Sequence, residues 1–272
     1  MMVQSAPEGE PHFIITMSEH TALAGRFAKA YGNDRFESVE PREEVIYLVE
    51  HHDHGWADLD AEAPLDPGTR LPYDLIETPL DLIAPTSKRS PDFNIKRHAY
   101  CGLLSSMHSW GLYNGRYGLS DKVVILDMAD EAQATLKPFL DGELARQKKL
   151  KEELAQDPET AVWIEERHLF QNYKQLQFFD TLALYFNRVH EDAREETSFP
   201  HVPTTAEEDV TITIRPTGNA SYELSPYPFG EDPLEIFFEG RWLAPLPEGD
   251  DDLKGILDKI DRDVQRFTLV SG

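Results

Sequence analysis

The stretch Glu50-His51-His52-Asp53-His54-Gly55-Trp56 sets the reading of this chain. Adjacent His and Asp at the end of an apolar helical stripe offer nitrogen and oxygen ligands to a metal in a compact form. Upstream, Glu40-Pro41 starts a helix and Val45, Leu48, Val49 and His52 share one stripe until Gly55 stops it. His52 is therefore expected to face the core, with Asp53 beside it. Further upstream, His20, Leu23, Ala24, Phe27, Ala28 and Tyr31 recur at steps of three and four, which puts His20 on the buried face of a first helix.

Downstream, residues 58–91 combine Pro and Asp with short apolar pieces, which reads as a long irregular connection or lid with brief helices. Phe93 to Tyr113 is helical, with His98, Cys101, Gly102, Ser105 and His108 on a broad common face. A charge-rich helix follows over about 129–156, then a long one from Pro158 to about Arg194. The stripe of that long helix, Tyr173, Leu176, Asp180, Ala183 and Leu184, writes an acid into a core-facing position. After Thr197 the pattern alternates: Val210 to Ile214, Tyr222 to Leu224 and Leu234 to Leu243 read as an antiparallel meander. A final amphipathic helix is expected over about 253–266, and residues 1–12 are expected to form a loose arm. The expected fold is mostly α: a helical metal-binding domain over 13–196, and a small antiparallel sheet plus helix over 197–272 packed on it.

Asp and Glu outnumber Lys and Arg by 50 to 26, giving a net charge of −24. This argues against binding a nucleic-acid polymer or an anionic membrane, and leaves a small anion reaching a local basic pocket. The single Cys101 cannot form an internal disulfide, and neither a signal peptide nor a membrane span is legible. The expected compartment is the cytoplasm.

A lone His on an apolar face is more often a hydrogen-bonded core residue than a ligand, and an Arg or Lys partner would explain Asp180 equally well. Taken together, two acids sharing stripes with His20 and His52 favour a common cation, because a buried unpaired carboxylate is costly. Mixed imidazole and carboxylate ligands suit Fe, Mn, Zn or Ni better than Mg or Ca. His51 and His54 are weaker candidates, one flanking the stripe and the other in the turn. His12, His168, His190 and His201 read as surface residues.

The order His, His-Asp, His, Asp resembles the HD superfamily of metal-dependent phosphohydrolases. His52-Asp53-His54-Gly55-Trp56 is similar to that superfamily's His-Asp-x-Gly-Lys turn, with Trp56 in place of Lys. The resemblance implies an HD-like helical bundle in which His20, His52, Asp53 and Asp180 hold a primary metal. It further implies that His98 and His108 hold a second ion or orient the substrate, so that Asp53, His98 and His108 are the candidate catalytic residues. A metal-activated water would then attack a small phosphorylated or nucleotide-like substrate, met by Arg97, Lys96 or Arg116. Trp56, an aromatic where the superfamily often has a basic residue, is expected either to wall an apolar pocket or to pack in the core. An HD-type di-iron oxygenase and a non-catalytic, metal-stabilised binding module are the alternatives. The chain also looks like a bacterial family of unassigned function, through its His-His-Asp-x-Gly-Trp turn, Leu104-Ser105-Ser106-Met107-His108 and Phe179-Asp180-Thr181-Leu182-Ala183-Leu184. The C-terminal sheet looks like part of that second pattern, and is expected either to shape the pocket mouth or to mediate self-association as a homodimer.

Overall fold

A computed structural model describes residues 1–272. The helices are α1 (Met17–Ala30), α2 (Arg42–His51), α3 (Ala57–Glu62), α4 (Leu80–Asn94), α5 (Ala99–Tyr113), α6 (Asp130–Leu154), α7 (Pro158–Trp163), α8 (Glu166–Arg188) and α9 (Leu253–Leu257). The strands are β1 (Met2–Val3), β2 (His12–Ile15), β3 (Thr197–Pro203), β4 (Asp209–Gly218), β5 (Ser221–Ser225), β6 (Leu234–Leu243) and β7 (Asp263–Ser271). No helix is long and apolar enough to cross a membrane.

The expectation of a mostly helical bundle with a small C-terminal sheet is corrected. Helix accounts for about 49% of the chain and strand for 19%, with a curled, mixed sheet of seven strands in the order β1-β2-β6-β7-β5-β4-β3. The expected final helix ends at Leu257, and β7 pairs antiparallel with β6 and parallel with β5. Phe267 and Leu269 are the buried residues of β7 and alternate with the half-buried Thr268 and Val270, a strand period rather than a helical one. The N-terminal arm is ordered too: β1 pairs β2, β2 pairs β6, and Met2 is fully buried. Both ends of the chain thus enter one sheet, and a single core of 43 residues draws on either side of the 196/197 boundary, with Phe186 of α8 stacked on Phe267 of β7 at 3.7 Å.

Residues 58–91 are more regular than expected, because α4 runs through Pro85 and Pro91. Proline in a helix removes a backbone donor. Packing against the turn that follows α2 holds this helix, since an added Cβ on Gly55 would lie 2.0 Å from the Thr86 carbonyl oxygen. Gly55 N–H also donates to Ser90 Oγ at 3.0 Å. The long helix from Pro158 breaks at Ile164-Glu165 into α7 and α8.

The site is built by four mutually packed helices: α1 lies against α2 and α8, and α5 against α2 and α8. The Thr16 side chain caps α1 by accepting from Glu19 N–H, and leaves His20 on the same buried face as Leu23, Ala24 and Phe27. α5 is buried along almost its whole length, so His108 sits in the interior.

Candidate metal centre

Five side chains converge where α1, α2, α5 and α8 meet. His20, His52 and Asp180 form one group of mutually close ligand atoms, and His52, Asp53 and His108 form a second, each within 4.8 Å. His20 Nε2 lies 3.1 Å from Asp180 Oδ1, and His52 Nε2 lies 3.7 Å from Asp53 Oδ2 and 3.8 Å from Asp180 Oδ1. His108 Nε2 lies 3.9 Å from Asp53 Oδ1. Two ligand atoms bound to one ion at about 2.1 Å stand roughly 3.0 to 4.2 Å apart, depending on the angle at the metal. The observed separations fall within that range.

Hydrogen bonding decides which nitrogens are free. His52 Nδ1–H donates to the Val49 carbonyl at 2.8 Å, so in the neutral ring Nε2 keeps its lone pair, and that buried nitrogen has no hydrogen-bond partner. His20 Nδ1 faces Asn187 Oδ1 at 3.0 Å, which likewise turns Nε2 toward Asp180. Lone pairs facing carboxylates repel unless the rings are protonated or a cation lies between them. Burial disfavours the charged form of His52, but the Asp53 and Asp180 carboxylates outweigh it and push the pKa up to about 9. Burial likewise opposes ionisation of Asp180, yet the imidazoles of His20 and His52 hold it well below the usual carboxylate range. Burial and the neighbouring charge of His52 bring His108 down to about 4, so that ring is neutral at pH 7. The donor set fits a transition metal, which would replace the proton on His52 and neutralise the two acids.

α8 supplies more than Asp180. Gln177, one turn before it, places Nε2 3.0 Å from His108 Nδ1, and Asn187, two turns after it, meets His20. These amides orient two of the imidazoles, as partners behind metal-ligating histidines commonly do. The sequence reading missed both, although their spacing from Asp180 on one helical face was the available sign.

His98 is not brought to the centre. It caps the N-terminus of α5, its Nδ1 accepting from Tyr100 N–H at 3.1 Å, and its ring lies beside Trp163. Trp56 is not a pocket wall; at 4% exposure it belongs to the main core. Arg97 lies over the Tyr47 ring and 3.7 Å from Glu43, outside the cavities at the centre. Arg116 lines a separate recess behind His108.

Access runs through a cavity of about 440 Å³ lined by Asp53, His51, His54, Phe93, Met17 and four others besides Glu50. His51 Nδ1–H donates to the Tyr47 carbonyl at 2.7 Å, and the His54 ring stacks on Phe93 at 3.5 Å. Burial and the nearby His51 lower the pKa of His54. An adjoining recess shares His54, Ala57 and Phe93 with this cavity and carries Arg89 and Lys96.

A family model described as protein of unknown function, DUF3891, matches residues 1–244. The chain belongs to DUF3891. The match takes in all five converging residues and stops short of α9 and β7. No curated protein and no solved structure matches the chain.

Proposed function

We propose that this DUF3891 protein is a metal-dependent phosphohydrolase for small phosphorylated or nucleotide-like compounds. Its centre holds one or two ions of Fe, Mn, Zn or Ni through His20, His52, Asp53, His108 and Asp180. The observation that carries this reading is the buried, unpartnered Nε2 of His52 set between two carboxylates. Bound there, such an ion lowers the pKa of a coordinated water and stabilises charge developing on a phosphoryl oxygen. Asp53 is the acid that reaches the cavity, its side chain 16% exposed against 6% for Asp180. Phe93 and His54 give a flat wall for an organic group, and in the recess next door, where Arg89 is paired with Asp58 at 3.3 Å, Lys96 offers positive charge to an anionic one.

The test is a screen of nucleotides, aromatic phosphates and sugar phosphates against protein loaded with each of the four metals in turn. The expected result is chelator-sensitive release of phosphate that falls by about a hundredfold or more in Asp53→Asn while the fold is kept. Turnover of none of these compounds with any metal would reject the phosphohydrolase. A second reading, oxygen activation on an uncharged substrate, is favoured by one observation: no Lys or Arg lines the cavity at Asp53. Oxygen consumption by the iron-loaded protein separates the two.

A further inference from the structure

A recess behind His108, of about 280 Å³, is lined by Arg116, Lys174, Gln177, Thr181, Ser198 and His201 among others. It shares no residue with the cavity that opens on Asp53. Arg116 is the only arginine whose guanidinium has no hydrogen bond, ion pair or aromatic contact, although it is half-buried in a chain with 50 acidic residues. A permanent cation partly removed from water without a counter-charge is unfavourable unless something binds it. Lys174, on the same wall, is already paired with Asp209 at 2.6 Å, which leaves Arg116 as the free charge.

The backbone aims these groups at a cost. Arg116 at φ 50° and His201 at φ 60° both take the left-handed conformation that side-chain-bearing residues rarely adopt. Such strain gathers where a side chain must be presented in one direction. Gln177 closes the recess toward the metal centre. Its Nε2 faces His108 Nδ1 at 3.0 Å, and its Oε1 is buried with no partner. Turning the amide over lets Oε1 accept from His108 Nδ1–H, leaves His108 Nε2 its lone pair toward Asp53, and turns the NH2 group away from His108 in the recess that Gln177 lines with Arg116.

We propose that this recess is a second, oxyanion-binding site for phosphate or the phosphoryl group of a small metabolite, held by Arg116 and the Gln177 amide. Through Gln177, occupancy selects the tautomer of His108 that can ligate. Anion binding stands independently of the metal reading, and only the role of His108 rests on it.

Inorganic phosphate titrated into chelator-treated protein tests the site without any contribution from a metal. Calorimetry should show saturable binding to the wild type, weakened about tenfold or more in Arg116→Gly, the loss expected for a charge-assisted pair. Glycine suits the left-handed backbone at this position, so that variant keeps its fold. Phosphate should also move the His108 ring nitrogen resonances in the wild type and leave them in place in Arg116→Gly. Absence of saturable binding, or equal affinity in Arg116→Gly, would overturn the site; bound phosphate with unmoved His108 resonances would overturn the link through Gln177. Tighter binding of glycerol phosphate than of phosphate would point to a phosphorylated metabolite, and weaker binding to free phosphate, the product of the proposed hydrolysis. Metal content measured separately keeps failure here distinct from failure of the metal centre.

Discussion

Asp180 Oδ1 lies 3.1 Å from His20 Nε2, and the other nitrogen of that ring is held by Asn187 from the same helix as the acid. One helix thus fixes both the carboxylate and the orientation of the imidazole it faces. Removing the amide in Asn187→Ala should weaken metal binding about ten- to a hundredfold while leaving every ligand in place. Competition with a chelator of known affinity measures this. An unchanged affinity would show that Asn187 does not orient His20.

The two most shifted histidines give opposite pH limbs to the metal-free protein. His52 is raised from 6.5 to about 9, so its stabilisation is fully present below about pH 6.5 and is lost as pH rises through about 9. His108 is lowered from 6.5 to about 4, so the unfolded chain binds its proton first and stability is lost as pH falls from 6.5 toward 4. The melting temperature of the metal-free protein should therefore peak near pH 6.5, and His108→Gln should flatten the acid limb. Loading with Zn at pH 7 should release the His52 proton, seen as a dependence of the binding enthalpy on the ionisation enthalpy of the buffer. No such dependence would place His52 outside the centre.

Gly55→Ala tests the packing of the ligand turn. The new Cβ would meet the Thr86 carbonyl oxygen at 2.0 Å and the Ser90 nitrogen at 2.8 Å, both backbone atoms of α4. Relief must come from moving the turn that carries Asp53 and His54. The expected effect is a loss of about 3 kcal/mol in denaturant unfolding, together with reduced metal retention. Full stability in this variant would mean that α4 yields instead.

His98 and His108 should part company under substitution. His98→Ala removes a cap, costing about 1 kcal/mol and no metal. His108→Ala removes a candidate ligand and should lower metal affinity or stoichiometry. Equal metal loss in both variants would contradict the placement of α5.

The legible part of the site lay in helical stripes. His20, His52 and Asp180 were readable because the three- and four-residue period that buries Leu23, Val49 and Leu176 buries them too. His98 misled because a shared face does not mean a shared height: ten residues of helix span about 15 Å, so only one end of α5 can reach Asp53. The sequence allows Trp56 as pocket wall or as core, and the short 3-10 turn His54–Trp56 directs it into the core.

The sheet was harder to read because its strands pair across the whole chain. β1 and β2 are two and four residues long, too short to show a period, and become strands only by pairing with each other and with β6. The helical reading of 253–266 ran α9 into β7, whose place between β5 and β6 depends on contacts far away in sequence. Pro85 and Pro91 concealed α4, a helix held by packing against Gly55 rather than by its own propensity.

The most direct measurement is elemental analysis of protein purified without chelator, alongside His52→Ala and Asp180→Ala. A centre built on His52 Nε2 and the two acids requires at least one transition-metal ion per wild-type chain and its loss from both variants. A wild-type protein free of transition metal after growth and reconstitution with Fe, Mn, Zn and Ni, or an Asp180→Ala protein retaining full metal content, would contradict it.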